Sequence, residues 1–434
     1  KEQSFIAKTR LFIPVYLDGD LPNAQEQGEK FGVLGYPTLI VLSPEGQEIT
    51  RIPGGLELER YASVLDMSLG AVRPVKVSFE RVMAGESVSD DDFHLLAYYS
   101  WGQDNERVLS EESAAEAFYT LYEAAPAHLA ATKSRLYLNY LSYRLGTLGE
   151  DEHLSLPEQQ EALAMLQAVL ADKDQANTNY DYLVYEAGST FSQLSEVESE
   201  SLRADWLSYV AGQGDNDKLS LMERLGPLSV DVQLARLAKP EGELDAALTQ
   251  KVRDRLAWVE TQIHNDYERE AVANSAVGIM YRADMLAEAE AFLLRGMERA
   301  MTPFYYMISL ADLAQEDERF DEAISWYARA YNESSGAATR LQWGSYYLKG
   351  LTEMKPEDHQ AIKDQSMALL SELDVTGNAY SQRNGRVLKR MSDFLLAWSE
   401  TAGGAEVIAD LQAYRDSRCV QLVAQSDAKS RCET

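Results

Sequence analysis

An apolar pattern with the 3.6-residue period of the α-helix runs from residue 93 to about residue 418 of this 434-residue chain. Strand signals vanish over the same range, so the sequence predicts that most of the chain is helical. Short links separate many of the predicted helices, which is typical of antiparallel helix pairs. The predicted helices are 111–124, 129–145, 158–171, 179–194, 198–211, 244–264, 269–282, 286–300, 304–316, 320–332, 338–351, 357–372 and 381–401.

One predicted helix pair, at 304–332, carries small residues at regular positions. Ala323, Tyr327 and Ala330 are spaced i, i+4, i+7, so they lie on one helix face, where alanine allows a partner helix to approach closely. Residues 307–314 supply matching small and large apolar positions on the preceding helix. Together these positions resemble the tetratricopeptide repeat, in which two helices pack as a pair and the pairs stack.

The same spacing returns one unit earlier, at Ala289, Leu293 and Gly296. The resemblance therefore implies tetratricopeptide-like (TPR-like) helical repeats over 241–418, preceded by helical pairs without a named repeat over 93–240. The alternative is an irregular helical domain in which the alanine matches arise by chance.

The first 72 residues follow a different pattern. Two short apolar runs, 38–43 and 48–52, predict strands, and the turn-forming residues 43–47 connect them. Pro37 stands at the start of the first run, a position that suits proline because it lacks the N–H that the interior of a sheet requires.

With its neighbours Gly35, Tyr36 and Thr38, Pro37 forms a Gly-Tyr-Pro-Thr step that resembles the loop of the thioredoxin family before a central strand. The resemblance implies that the Tyr36–Pro37 bond is cis and that Gly35, Tyr36, Pro37 and Thr38 bind an extended substrate peptide by strand addition. The alternative is an ordinary αββα unit with a trans proline.

Three further segments are similar to elements of the thioredoxin family: 11–18 to a strand that ends in Asp, 23–31 to the following helix and 56–69 to the last helix. Residues 1–8 resemble the helix that follows the family's Cys-x-x-Cys motif. The resemblance therefore implies that the natural protein has further residues upstream, where the central strand and that motif would lie.

The sequence contains two cysteines, Cys419 and Cys432, which are far from the thioredoxin-like segment. A sparse terminal pair favours a disulfide formed in an oxidising compartment, which would stabilise the fold by about 3 kcal/mol in the chain-entropy model. Two unpaired thiols or a redox pair are the alternatives. The pair predicts a periplasmic or otherwise extracytoplasmic protein.

The chain is strongly acidic, with 40 basic and 70 acidic residues and a net charge of −30. Such a field repels nucleic acid and anionic membrane surfaces, and it favours solubility and cationic partners. A generally acidic proteome explains the same composition equally well. Apolar runs are shorter than the ~20 residues that span a bilayer, so we expect no membrane span in this chain.

Signals for a metal, a cofactor or a catalytic centre are weak. The five histidines are scattered, and the common phosphate-binding, zinc-protease and serine-hydrolase motifs are missing. The run 214–218 predicts a solvated turn rather than a calcium loop, because it lacks the glycine and glutamate that such a loop requires. Asp90, Asp91 and Asp92 predict a helix start rather than a cation site. We expect no cofactor and no catalytic residue in this chain.

The sequence as a whole predicts an α+β multidomain protein: a partial thioredoxin-like α/β domain (1–72), a linker or extended strap (73–92), helical pairs (93–240), a TPR-like array (241–418) and a disulfide-closed tail (419–434). Two functions fit. The first is thiol–disulfide exchange, using cysteines upstream of this chain, while the helical region holds partner proteins. The second is a non-enzymatic interaction scaffold with a degenerate thioredoxin fold. Both imply a protein or peptide partner.

Overall fold

A computed structural model describes residues 2–19, 21–33, 35, 37–52, 58–70, 73–104, 106–149, 151–373, 380, 382–421, 429 and 432. Within this part of the chain there are 22 α-helices and one two-stranded antiparallel sheet. The chain forms two compact units. The first unit contains Lys1–Pro14 and Pro37–Ala289, and the second contains Val15–Tyr36 and Glu290–Thr434. The predicted boundaries at 72, 92, 240 and 418 are a finer division and stay predictions.

The elements of the first hundred residues are α1 (Glu2–Thr9), α2 (Pro22–Lys30), β1 (Leu39–Leu42), β2 (Glu48–Ile52), α3 (Leu58–Ser68), α4 (Val75–Met83) and α5 (Asp90–Tyr98). After α5, every regular element that the structure describes is a helix. They are α6 (Ala114–Ala124), α7 (Ala130–Gly146), α8 (Leu156–Ala171), α9 (Lys173–Thr178), α10 (Tyr180–Tyr185), α11 (Ala187–Gln193), α12 (Glu196–Gln213), α13 (Gly226–Ala238), α14 (Ala246–Gln262), α15 (Asp266–Arg282), α16 (Leu286–Met297), α17 (Pro303–Glu316), α18 (Phe320–Glu333), α19 (Ala337–Met354), α20 (His359–Glu372), α21 (Gln382–Ala402) and α22 (Ala405–Cys419).

Strands β1 and β2 form an antiparallel hairpin in which Leu39 faces Ile52 and the register shifts by a bulge after Val41. Gly46, in the connecting turn, has a φ of 81°, a conformation that glycine adopts without strain. Val41 and Ile52 are buried in the same core as α3 to α7. The hairpin is therefore stabilised by packing on helices, which a two-stranded sheet requires in water.

The segment 11–18, which we expected to form a strand, has no regular structure from residue 13 onward. Ile13 is 91% exposed and Tyr16 is 89% exposed. A strand is stable only when a neighbour satisfies its backbone N–H and C=O groups, and no described strand pairs with this segment. The sheet has two strands in the described residues, and a thioredoxin-like domain over 1–72 stays a prediction.

Residues 75–83 form helix α4 instead of the extended strap that we expected over 73–92. Val75, Phe79 and Val82 are buried, and their i, i+4, i+7 spacing places them on one helix face. Burial of this face outweighs the low helix propensity of the valines. Helix α5 then begins at a capping box, in which Ser89 and Asp92 exchange side-chain and backbone hydrogen bonds.

Three helical segments of the first unit differ from the predicted helices. The predicted helix 179–194 is divided into α10 and α11, and α9 and α13 were not predicted. In α13, Val230 and Val232 are fully buried together with leucines on either side. A helix that is buried on most of its surface lacks the one-sided apolar stripe on which the prediction relied.

In the second unit, α17 and α18 make the most extensive contact of all described pairs of elements, and α18 also packs on α19. Ala311, Ala323 and Ala330 are fully buried at these contacts, as their spacing predicted. Helices α17 and α19 begin 34 residues apart, at residues 303 and 337. This region is therefore an array of paired helices, while its membership of the tetratricopeptide family stays a prediction.

Candidate functional site

The predicted substrate loop lies where the chain passes from one compact unit to the other. Gly35 is half-buried and belongs to the second unit, whereas Pro37 is exposed, Thr38 is half-buried and both belong to the first unit. Tyr36 lies outside the described residues, as does the predicted cis bond between Tyr36 and Pro37. The loop's role in binding a substrate stays a prediction.

On the first unit, the Pro37 end of this loop is held by a hydrogen bond. The Gln103 Nε2 donates to the Pro37 carbonyl oxygen at 3.1 Å, and the Gln103 carbonyl oxygen accepts from Arg51 Nη1 at 2.5 Å. Arg51 lies on β2, and its side chain is completely buried. The start of β1 is therefore connected to the helical part of the unit through Gln103.

Arg51 is part of a polar network beneath the hairpin. Its Nε donates to Glu48 at 2.7 Å, and Arg107 donates to the same carboxylate at 2.5 Å. Burial alone would raise the pKa of Glu48, but these two hydrogen bonds outweigh it and lower the pKa. Tyr99 donates to Asp104 at 2.7 Å, and burial together with this bond raises the pKa of Tyr99. The lowered pKa keeps Glu48 ionised and the raised pKa keeps Tyr99 protonated at neutral pH. Groups that keep one charge state fit a structural role better than proton transfer.

The two cysteines form a disulfide at the end of α22, in the second unit. Cys419 is 1% exposed and Cys432 is 2% exposed. Exchange reactions require an accessible thiolate, and a buried disulfide supplies none.

The first unit contains a cavity of about 760 Å³, which we call the first-unit cavity. Its lining comes from α3, α7, α9, α10, the segment from the end of α12 to the start of α13, and α15. Tyrosine, asparagine and glutamine side chains form much of the lining, and Val184, Leu225 and Ile279 contribute apolar surface. A concave site with apolar surface and a few converging polar groups is the usual form of a ligand-binding site.

One wall of the cavity is built around the buried Arg135 on α7. Its guanidinium donates to both carboxylate oxygens of Asp181 at 3.0 Å and to the carbonyl oxygens of Ala97 and Thr178, also at 3.0 Å. Burial alone would lower the pKa of Arg135, but the Asp181 carboxylate raises it, so the arginine stays charged. The pair fixes α10 against α7 and places one carboxylate at the cavity wall.

A second wall depends on a close approach at Gly226. The Tyr180 hydroxyl donates to the Glu223 carbonyl oxygen at 2.9 Å. A Cβ atom at Gly226 would overlap both the Tyr180 hydroxyl and Val184. Glycine at this position therefore allows α13 to begin directly against α10, which closes this side of the cavity.

Helix α15 leaves space on its cavity side. A Cβ atom added to Gly278 would contact only Arg282 Nη1, at 3.8 Å. The side chains of Asn274, Lys218 and Arg282 also line the cavity, and no described residue hydrogen-bonds to them. These groups are available to a ligand.

Other site types have little support among the residues that the structure describes. There, no group of three or more His, Cys, Asp or Glu side chains is placed to hold a metal ion. Over the same residues, every helix is too short or too polar to cross a bilayer.

Sequence reasoning did not find the first-unit cavity. Its residues extend from Ser63 to Arg282, and none belongs to a motif with a known chemistry. The sequence did mark Gly278 as a small helical position and 214–218 as a solvated turn. Neither signal indicates a cavity without the packing that brings them together.

Comparison with known proteins gives no relative for this chain: no family model, no curated protein and no solved structure matches it.

Proposed function

We propose that this chain is a protein-interaction scaffold that binds a peptide segment of a partner protein in the first-unit cavity. The observation that carries the proposal is the cavity itself, whose volume of about 760 Å³ lies in the range of sites that enclose small ligands. A site of this size accepts a few residues of an extended peptide. The paired helices of the second unit support the same role, since stacked helix pairs present extended binding surfaces.

The chemistry of the lining supports a peptide ligand. Tyr180, Tyr185 and Tyr209 offer rigid aromatic surface with a polar end, which is enriched at protein interfaces. Asn274 has an amide group that no described residue uses, and amides pair well with a peptide backbone. The lining holds no histidine or cysteine, so we do not propose catalysis there.

Gly278→Leu tests the proposal, because the leucine side chain would occupy the space beside Arg282. The purified chain is incubated with an array of immobilised octapeptides, and the peptides it retains are measured by fluorescence anisotropy. We expect Gly278→Leu to weaken their binding by at least about tenfold. Leucine has a higher helix propensity than glycine, so the variant should keep or exceed the parent's stability.

Gly146→Leu is the matched control. Gly146 also lies in a helix; it is exposed whereas Gly278 is half-buried, a Cβ there meets nothing within 4 Å, and it does not line the cavity. Its peptide affinities should equal those of the parent chain. If the array retains no peptide, or if Gly278→Leu binds as tightly as Gly146→Leu, this proposal is wrong.

A second proposal is thiol–disulfide exchange by a cysteine pair that residues 1–434 do not supply, with the Gly35–Thr38 loop binding the substrate; the hydrogen bond that holds Pro37 supports this role of the loop. Its first requirement is that the loop binds extended protein substrate. A photo-crosslinking phenylalanine analogue in place of Tyr36 should label unfolded insulin B chain, and the same analogue in place of the exposed Tyr267 should not. Equal labelling at both positions would exclude a substrate loop.

A further inference from the structure

The charge of the first-unit cavity has the opposite sign to the charge of the chain. The cavity is lined by three basic residues, Arg135, Lys218 and Arg282, and by two acidic residues, Asp181 and Glu223. The whole chain has 40 basic and 70 acidic residues. A positively charged lining in so acidic a protein points to a ligand of negative charge.

Both carboxylates of the lining already have donors. Asp181 accepts from two nitrogens of Arg135 at 3.0 Å. Glu223 Oε2 accepts from the backbone N–H and the hydroxyl of Ser220, each at 2.8 Å. These bonds are internal to the protein, so neither carboxylate depends on a ligand for its partners.

Lys218 and Arg282 differ from them, because no described residue forms an ion pair or a side-chain hydrogen bond with either cation. Lys218 follows α12, and Arg282 lies in the last turn of α15. Arg282 Nη1 lies 3.8 Å from the position of a Cβ on Gly278, so the guanidinium lies back along the cavity side of α15. Two elements thus each direct one unpaired cation to the same cavity.

We propose that the ligand of the first-unit cavity is an acidic peptide segment, whose Asp or Glu side chains pair with Lys218 and Arg282. This inference rests on the proposed function and specifies its ligand. Both cations are exposed at the cavity wall, so solvent screens them from distant charges, and the pairs act at contact distance with a bound carboxylate. A basic segment would place like charges beside both cations.

The net charge of −30 is spread over the chain. In physiological salt the field of distant carboxylates is screened beyond about 8 Å. Repulsion from the rest of the surface should therefore slow the approach of an acidic peptide in low salt without preventing its binding.

Three labelled octapeptides test the inference, each acetylated and C-terminally amidated: Ala-Glu-Tyr-Ala-Glu-Tyr-Glu-Ala, its Glu→Gln form and its Glu→Lys form. The Gln form is also prepared with a free C-terminal carboxylate. Fluorescence anisotropy in about 0.15 M salt gives each affinity. We expect the Glu peptide to bind at least about tenfold more tightly than the amidated Gln peptide, and the Lys peptide to bind most weakly.

Lys218→Gln and Arg282→Gln should each weaken binding of the Glu peptide by about fivefold or more and leave the Gln peptide unchanged. Lys173→Gln and Arg10→Gln are the matched controls. Each removes one exposed positive charge of the same unit, outside the cavity. The controls change the net charge of the chain by the same amount as the Lys218 and Arg282 variants, so a general charge effect would weaken binding equally in all four. If the local ion pairs act, the controls should alter the affinity for the Glu peptide by less than about twofold.

The outcomes separate this inference from the proposed function. Equal binding of Glu and Gln peptides, abolished by Gly278→Leu, would leave the peptide site standing and overturn its acidic preference. The acidic preference would also be overturned if the Lys peptide bound more tightly than the Glu peptide. The same holds if the Lys173 and Arg10 control variants bound the Glu peptide as weakly as the Lys218 and Arg282 variants. A free-carboxylate Gln peptide that matches the Glu peptide would assign recognition to a chain terminus instead of acidic side chains. If no peptide binds at about 1 mM, both proposals fail.

Discussion

Arg135 and Asp181, 46 positions apart in the sequence, form two parallel hydrogen bonds of 3.0 Å between the guanidinium and the carboxylate. The Arg135 side chain is 10% exposed and that of Asp181 is 48% exposed. The same guanidinium contacts the Tyr98 ring and donates to the Ala97 carbonyl oxygen. One arginine thus connects α5, α7 and α10 at the wall of the first-unit cavity.

Asp181→Asn should destabilise the chain, because it leaves the buried Arg135 charge without its carboxylate. We expect a loss of about 2 kcal/mol in the free energy of unfolding, less than for a fully buried pair because Asp181 is half-exposed. Urea unfolding followed by circular dichroism measures it. The control is Asp215→Asn, since Asp215 is 90% exposed and pairs with Arg255 at 3.3 Å. A similar loss in both variants would contradict the role of the Arg135 pair.

Glu158 should make the stability of α8 depend on pH in the acidic range. Burial alone would raise the pKa of Glu158, but hydrogen bonds from Arg144 at 2.8 Å and from the Ser155 backbone at 2.7 Å lower it to about 2. A lowered pKa stabilises the fold above the unfolded value of about 4.3, and the stabilisation is lost as pH falls toward 2.

Glu158→Gln should therefore reduce the free energy of unfolding at pH 7 by about 1–2 kcal/mol, a range that allows for solvent screening, and by little near pH 2. Thermal unfolding of the variant and the parent at several pH values gives this difference. Glu116→Gln, which removes one exposed carboxylate of the same unit, is the control. A constant difference from pH 7 to pH 2 would count against the lowered pKa of Glu158.

Cys419 and Cys432 should resist alkylation until the protein is reduced or unfolded, because the disulfide is buried. The mass of the unreduced chain should be about two hydrogens below that of the reduced chain. Replacing both cysteines by serine should lower the free energy of unfolding of the second unit by about 3 kcal/mol, since the bond closes a loop of 13 residues. Two thiols that react without reduction would contradict this prediction and undo the expectation of an oxidising compartment.

The chain of residues 1–434 should not catalyse the reduction of insulin by dithiothreitol. Catalysis requires an exposed thiolate, and both cysteines are bonded to each other and nearly fully buried. The turbidity assay for insulin B chain measures the rate. Activity that disappears in Cys419→Ser would identify the terminal pair as a redox centre and would reverse our assignment of the substrate loop to Gly35–Thr38.

Local periodicity was sufficient to predict the helices that have one apolar face. The i, i+4, i+7 spacing of Ala323, Tyr327 and Ala330 is a property of the sequence alone, and all three side chains are buried. The hairpin is a similar case, because its two apolar runs and the turn between them are contiguous. Such elements depend on the order of neighbouring residues, which the sequence states directly.

Tertiary packing decided the rest. Val75, Phe79 and Val82 form a helix because a core covers that face, whereas the apolar segment at Ile13 and Tyr16 has no described strand beside it and stays irregular. The first-unit cavity is the clearest case. Arg135 meets Asp181 across 46 residues, and Lys218, in the turn after α12, lines the same cavity as Arg282 of α15. Burial and charge pairing depend on which distant segments meet in space, and a linear pattern does not contain that information.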